Sequence, residues 1–327
     1  MVCAMARRLR LYAAFLPLAL LAGCGRGSDK PVAITLVGSP QTMFAKGVRL
    51  AQDGQYLRDA TADGLVGLDM EGSVIPGLAE RWIVTDGGRS YIFRLADRNW
   101  PDGSPLTGEN VRDALRRALA SAQGTSLGLD LAKISEVRAM AGRVVEIRLT
   151  SPMPEFLQLL ARPELALFHK GKASGRMVLA RDGATAILTP VAPELLGRPG
   201  ESDWKARMLQ LRLDALPAAQ AIDRFNKGET DIVLGGQIDT MPIDDTGPLS
   251  RGTVRLDAVQ GLFGLQAMHS KGALALAPMR EALAMAIDRK ALMEAFNVGG
   301  WVATTRVVPP GLPGDLGTIG ERWSDLT

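Results

Sequence analysis

Two tight turns and a helix cap, packed between residues 82 and 107, constrain this chain more than any other feature. Asp86-Gly87-Gly88 lies between two extended pieces, 82–84 and 91–95. In the second piece Tyr91, Phe93 and Leu95 alternate with Ile92 and Arg94, the two-residue period of a strand. Asp-Gly-Gly supplies the positive φ that the hairpin turn needs. Pro101-Asp102-Gly103-Ser104-Pro105 makes a second turn. Thr107 then stands as an N-cap, and Val111, Ala114, Leu115, Ala118 and Leu119 follow at helical spacing. Arg112, Asp113, Arg116 and Arg117 take the opposite, solvated face. Trp82, Tyr91, Phe93 and Trp100 are assigned to a core.

The rest of the chain alternates strands and helices irregularly. Residues 33–37 are apolar and rich in β-branched side chains, as a buried strand is. Asp69-Met70-Glu71-Gly72 reads as a turn between short extended pieces. Residues 144–149 and 208–213 alternate as strands, and so do Val254 and Leu256 about Arg255. A helix over 218–227 stops at Gly228, and a strand over 231–234 follows. One longer helix is expected over 278–296, with Pro278 in its first turn and Asn297 and Gly299-Gly300 beyond its end. Residues 307–320 are Pro- and Gly-rich and irregular. Hairpins early and α/β units late predict a mixed α/β protein with more than one lobe.

The N-terminus reads as an export signal. Arg7, Arg8 and Arg10 precede an apolar run over 11–21, which is shorter than the roughly 20 residues a bilayer span needs. Leu21-Ala22-Gly23-Cys24 resembles a bacterial lipobox, which makes 1–23 a signal peptide and Cys24 the lipidated first residue of the mature chain. A diacylglyceryl group supplies the two acyl chains that stable anchoring requires. Residues 24–30 are small and polar, a flexible tether. The three arginines are the only charges before Cys24, so processing takes the formal net charge from +3 to zero. A neutral mature chain gives no reason to expect nucleic acid as a partner. Cys3 leaves with the signal, so the mature protein has no internal disulfide and must rely on its core. His169 and His269 are far apart, and no His/Cys cluster has metal-ligand spacing. G-x-S-x-G, H-E-x-x-H and G-x-x-x-x-G-K-[ST] do not occur. No catalytic residue, metal or cofactor is therefore expected.

A family resemblance rests on ordered blocks. Gly64-Leu65-Val66, the run Val74-Ile75-Pro76-Gly77-Leu78-Ala79-Glu80-Arg81-Trp82, the hairpin from Asp86 to Leu95 and Trp100-Pro101-Asp102-Gly103-Ser104-Pro105-Leu106-Thr107 form the first. Met279-Arg280-Glu281-Ala282-Leu283-Ala284-Met285-Ala286-Ile287-Asp288-Arg289-Lys290 forms the second, and Gly228-Glu229-Thr230-Asp231 a third, shorter one. Together they resemble the bacterial extracellular solute-binding proteins of family 5, the peptide/nickel class of ABC importers. The motif residues themselves read as scaffold, with Arg280, Asp288 and Arg289 expected to make ion pairs. Lys172-Ala173-Ser174-Gly175-Arg176-Met177-Val178 departs from the family's usual Gly-Thr-Gly-Pro-aromatic segment.

The resemblance implies an α/β, two-lobed periplasmic-binding-protein-like fold of class II type. Lobe I would draw on 31–54 and 176–262, with 55–175 as an inserted subdomain carrying the hairpin and helix. Lobe II would begin at 263 and be incomplete at 327. The implied function is extracytoplasmic capture of a peptide or similar solute by lobe closure, as a monomer tethered to the membrane through Cys24 and working with an ABC permease. By position, Gln52 and Asp53, placed in a loop after the first strand, and Phe263 and Gln266, near a crossing strand, are the candidate ligand-binding residues. Two other functions compete: a degenerate, non-transporting relative acting as a sensor or assembly lipoprotein, and an exported hydrolase.

Overall fold

The computed structural model describes residues 30–238, 255, 257, 261–268, 271–296, 301–308 and 317. Cys24, His269, the alternating residues Val254 and Leu256, the glycine pair 299–300 and most of 307–320 lie outside the described residues. The chain divides into two units, Met1–Met241 and Pro242–Thr327.

In chain order the first unit contains β1 (Val32–Val37), α1 (Pro40–Met43), α2 (Gln52–Thr61), β2 (Val66–Leu68), β3 (Val74–Pro76), β4 (Ala79–Thr85), β5 (Ser90–Leu95), α3 (Gly108–Ala122) and α4 (Ser126–Asp130). It continues with β6 (Ile134–Met140), β7 (Val144–Leu149), α5 (Phe156–Leu160), β8 (Phe168–His169), β9 (Lys172–Ala173), β10 (Met177–Asp182) and β11 (Thr185–Pro190). α6 (Trp204–Arg207), β12 (Leu211–Leu216), α7 (Ala218–Asn226) and β13 (Ile232–Leu234) close it. The second unit contains α8 (Ala277–Ala286) and α9 (Arg289–Phe296).

The hairpin stands where its turn chemistry put it. β4 and β5 pair antiparallel with Thr85 opposite Ser90, and Asp86, Gly87 and Gly88 between them all take positive φ. β5 continues a four-stranded antiparallel sheet of order β4-β5-β7-β6. Tyr91, Phe93 and Leu95 are buried, as alternation requires, and Trp100 is buried with them, while Trp82 is half-buried at the margin of this core. Thr107 caps α3 with a reciprocal box in which Asn110 returns the bond. Val111, Ala114 and Leu115 of α3 join the same core, and each large side chain fully buried there contributes about 1.5–3 kcal/mol. On the polar face of α3, Arg116 and Arg117 are exposed and Arg112 and Asp113 half-buried, and the two exposed arginines also reach backbone carbonyls. Arg116 donates to the Val137 carbonyl at 2.9 Å and Arg117 to the Phe168 carbonyl at 3.2 Å.

A second sheet has the order β10-β11-β12-β1-β13. β12, β1 and β13 run parallel, while β10 and β11 are antiparallel additions. Ile34, Leu36, Leu57, Leu188 and Leu213 pack its core, and α7 links β12 to β13. The strand expected over 208–213 begins at Leu211 and runs to Leu216, in register with β1. β10 and β11 carry weak sequence signals because β10 is an edge strand whose Val178 and Leu179 are exposed. The segment that departs from the family pattern leads into β10. There Gly175 lies so close to α2 that a Cβ would fall 2.1 Å from the Thr61 carbonyl carbon.

The long helix expected over 278–296 is two helices. Ile287 is extended (φ −82°, ψ 114°), and the Asp288 carboxylate accepts from Ala291 N at 3.0 Å, starting α9 afresh. Arg289 closes the end of α8 by donating to the Ala284 and Ile287 carbonyls. Arg280 likewise bonds the Leu274 and Ala275 carbonyls. Among the described residues these three side chains therefore bond the backbone rather than form the ion pairs expected of them. No helix among the described residues is long and apolar enough to cross a membrane.

Candidate functional site

The carboxyl ends of parallel strands are where open α/β sheets take ligands. β12, β1 and β13 end side by side here at Leu216, Val37 and Leu234, and Gly38 N donates to the Leu216 carbonyl at 2.9 Å. Beyond β1 the chain turns sharply into α1. Ser39 caps that helix, accepting from Thr42 N at 3.2 Å, and Pro40 fills its first position. An open groove of about 310 Å³ follows these strand ends, lined by Val37, Gly38 and Ser39, by Gln52 of α2, and by Gly235 and Gln237 after β13.

The floor of the groove is held by Asp53. Its Oδ2 accepts from Ser39 N at 3.1 Å and Thr42 Oγ1 at 2.5 Å, and its Oδ1 accepts from Gly54 N at 2.8 Å. The residue is 1% exposed. Gly38 is required above it, because a Cβ there would lie 2.1 Å from Asp53 Oδ2. The wall is built from amides. Gln237 Nε2 donates to Gln52 Oε1 at 3.1 Å, and Gln52 Nε2 donates to the Tyr56 hydroxyl at 3.1 Å, one helical turn on.

The far end of α2 ties this sheet to the antiparallel region. Gln55 Nε2 donates to Glu164 Oε1 at 2.9 Å. The Arg58 guanidinium bonds the Gly47 and Ala45 carbonyls and stands over the Phe168 ring, 5.1 Å from its centroid. Burial lowers the Arg58 pKa from its ordinary value, opposed by the charge of Glu164. Burial also raises the Asp59 pKa, with Arg176 opposing and Asp63 reinforcing the shift. Asp63 pairs with Arg98 at 2.9 Å in a nearly buried bridge, and Arg98 also donates to the Ser174 carbonyl. Asp59, Asp63, Arg162 and Arg176 border a narrow cavity of about 40 Å³, room for water rather than a solute.

The four candidate residues fall into two pairs, one in each unit. Gln52 and Asp53 occupy the first turn of α2, not a loop. Gln52 lines the groove, whereas the Asp53 carboxylate is engaged in structural bonds. Phe263 is half-exposed and packs with Phe296 and Trp301 at centroid distances of 5.8 and 6.2 Å. Gln266 is exposed and belongs to no helix or strand. Sequence reading missed Gly38, Ser39, Gly235 and Gln237. Their signal was the pairing of a small-residue turn with the end of an apolar strand, which occurs twice, at Gly38-Ser39 and at Gly235-Gly236. No group of three or more His, Cys, Asp or Glu among the described residues is placed to hold a metal ion.

A family model described as bacterial extracellular solute-binding proteins, family 5 Middle, matches residues 73–188. The chain is similar to the probable deoxycholate-binding periplasmic protein YgiS of Escherichia coli, with 36% identity over 121 residues, 32% of this chain and 23% of that protein. It is also similar to the periplasmic murein peptide-binding protein MppA of Escherichia coli, with 28% identity over 274 residues, 73% of this chain and 49% of the relative. Among solved structures, OppA of Burkholderia pseudomallei matches with a TM-score of 0.53 at 16% identity, covering 69% of this chain and 49% of that one. That likeness bears out the α/β, class II periplasmic-binding-protein-like fold. The chain spans about half the length of the relatives it matches over most of its own length.

Proposed function

The chain belongs to the bacterial extracellular solute-binding proteins of family 5, and on that premise we propose that it captures a solute outside the cytoplasm and delivers it to an ABC permease. The observation that carries this reading is the open groove at the carboxyl ends of β1 and β13, walled by Gln52 and Gln237. A groove of about 310 Å³ is the size of a small-molecule site. Peptides or similar solutes suit it, because main-chain hydrogen bonds and ordered water hold such ligands without demanding a fixed side chain.

The protein works as a monomer of two lobes. Residues 31–54 and 176–262 form lobe I, 55–175 is an insert, and lobe II begins at 263, with Phe263 and Gln266 as its proposed ligand-binding residues. The ligand shifts an open–closed equilibrium by its differential affinity for the closed form. Residues 1–23 direct export, and lipid on Cys24, with 24–30 as tether, keeps the protein beside its permease.

The test is a mass-spectrometric survey of solutes that co-purify with the full chain, followed by melting with each solute returned. A ligand at 100 times its Kd raises stability by about 2.7 kcal/mol, a clear Tm shift. An empty survey, with no peptide raising Tm, defeats the proposal. Cys24→Ser should release the protein from the membrane fraction, and unchanged association defeats the anchor alone.

A further inference from the structure

The groove of the first unit has a polar wall without an available charge. Among the described residues Asp53 is the one ionisable side chain that lines it, and that carboxylate is 1% exposed and already accepts three hydrogen bonds. Its position matters as well as its burial. Asp53 sits in the first turn of α2, where its negative charge offsets the positive end of the helix dipole. The start of α2 would otherwise favour an anion. With Asp53 in place, an incoming carboxylate meets a fixed negative charge beneath the wall and, among the described residues, no cation on it.

What the wall does present is carboxamide. A glutamine amide carries two N–H donors and an oxygen with two lone pairs. Gln52 uses one donor on the Tyr56 hydroxyl and one lone pair on Gln237 Nε2. Among the described residues that leaves one N–H and one lone pair on the same planar group. The two bonds also orient it. Gln52 is held from its own helix on one side and from the segment after β13 on the other, so its amide is fixed before a ligand arrives. A preorganised donor–acceptor pair complements another amide, which offers an acceptor and a donor in the same plane. It does not complement a carboxylate, which only accepts and would set an oxygen against the Gln52 oxygen.

We infer that the Gln52–Gln237 pair is a specificity-determining element that seats an uncharged amide group of the solute and discriminates against a carboxylate at that position. The inference rests on the solute-binding reading above and narrows it to a ligand chemistry. Gln52 makes the contact, and Gln237 is a positioning residue that fixes the Gln52 amide through its oxygen.

The experiment uses the full chain and two probes that differ in one group, N-acetyl-alanyl-alaninamide and N-acetyl-alanyl-alanine. Side-chain amide signals are followed in protein labelled with ¹⁵N-glutamine and assigned by their loss in Gln52→Ala and Gln237→Ala. The Gln52 signal should shift on adding the neutral probe, which should bind about tenfold more tightly than its acid, the worth of one well-placed hydrogen bond. Gln52→Ala, matched to the parent in Tm, removes both the donor and the acceptor and should abolish that preference. Gln237→Ala should weaken the neutral probe about threefold while leaving the acid unchanged, which a merely structural role would not do. Equal affinity for both probes overturns the inference and leaves solute binding standing. A neutral probe that leaves the Gln52 signal unmoved overturns it too, whatever else binds. The solute-binding reading falls separately, and only if the survey of co-purifying solutes is also empty.

Discussion

The antiparallel region and the five-stranded sheet of the first unit divide the work between them. Around β4-β5-β7-β6 a continuous core buries Tyr91, Phe93, Trp100 and Phe156, with Tyr91 and Phe156 rings 4.7 Å apart. The core of the five-stranded sheet has smaller members, Ile34, Leu36, Ala186, Leu188 and Ala215 among them. Yet the groove lies on the second region, at its strand ends. The family match, residues 73–188, covers the first region and stops within β11, so no groove residue falls inside it. The well-packed, recognisable part is scaffold, and the groove is lined by residues outside it.

Deleting large side chains from each core is the strongest way to break this contrast. Phe93 is 0% exposed, and Phe93→Ala should cost about 4 kcal/mol, because the ring's contacts are lost and the cavity collapses only in part. Leu36, also 0% exposed, should cost about 3 kcal/mol as Leu36→Ala. Urea unfolding midpoints rank them, and a larger loss at Leu36 contradicts the division. Next comes the seam between the regions. Arg98→Met keeps the bulk but leaves Asp63 buried without its partner at 2.9 Å, which should cost about 3 kcal/mol. A loss below 0.5 kcal/mol, the scale of an exposed pair, would mean that the seam is not a structural tie.

The same contrast explains what the sequence made legible. The hairpin, the Thr107 cap and the family likeness were readable because each rests on chemistry within a few neighbouring residues. The groove was not, because Gly38, Gln52 and Gln237 are brought together only by the parallel pairing of β1 with β13 and the placement of α2 beside it. Asp53 is a candidate by position alone, in a loop after the first strand, and the sequence did not show that this position lies in the first turn of α2 with its carboxylate bonded to Ser39 and Thr42. At Asp288 the local signal was present, an N-cap residue, but apolar periodicity carried across it and masked the break between α8 and α9.

Each region holds a buried carboxylate, and the two should answer differently to removal of a partner. Asp53 is bound by a hydroxyl and backbone N–H groups, and Asp53→Asn replaces an acceptor with a donor against Thr42 or Ser39. That change should cost about 2 kcal/mol, since donors in a buried site are left facing a donor. It should also move the Gln52 side-chain signal, because Asp53 fixes the first turn of α2. A stability loss with an unmoved Gln52 signal would separate the floor of the groove from its wall.

Glu146, on β7, is the counterpart in the antiparallel region. Its carboxylate accepts from Arg148 Nε and from Ser90 Oγ, both at 2.8 Å. The Arg148 bond chiefly holds its pKa below the usual carboxylate value, with Ser90 adding to it and burial opposing. A group whose folded pKa is depressed gives its full stabilisation above the unfolded value, about 4.3 for Glu, and loses it as pH falls through the folded value. Ser90→Ala removes a neutral donor to the charged form, so it should cost about 1 kcal/mol at pH 7. Below the unfolded pKa the protonated carboxyl gains less from that donor, and the gap between variant and parent should narrow steadily with acid. Urea midpoints across that range check it. A gap that stays constant would mean that Ser90 acts through packing at the β5–β7 pair, and that the antiparallel region holds its buried charge through Arg148 alone.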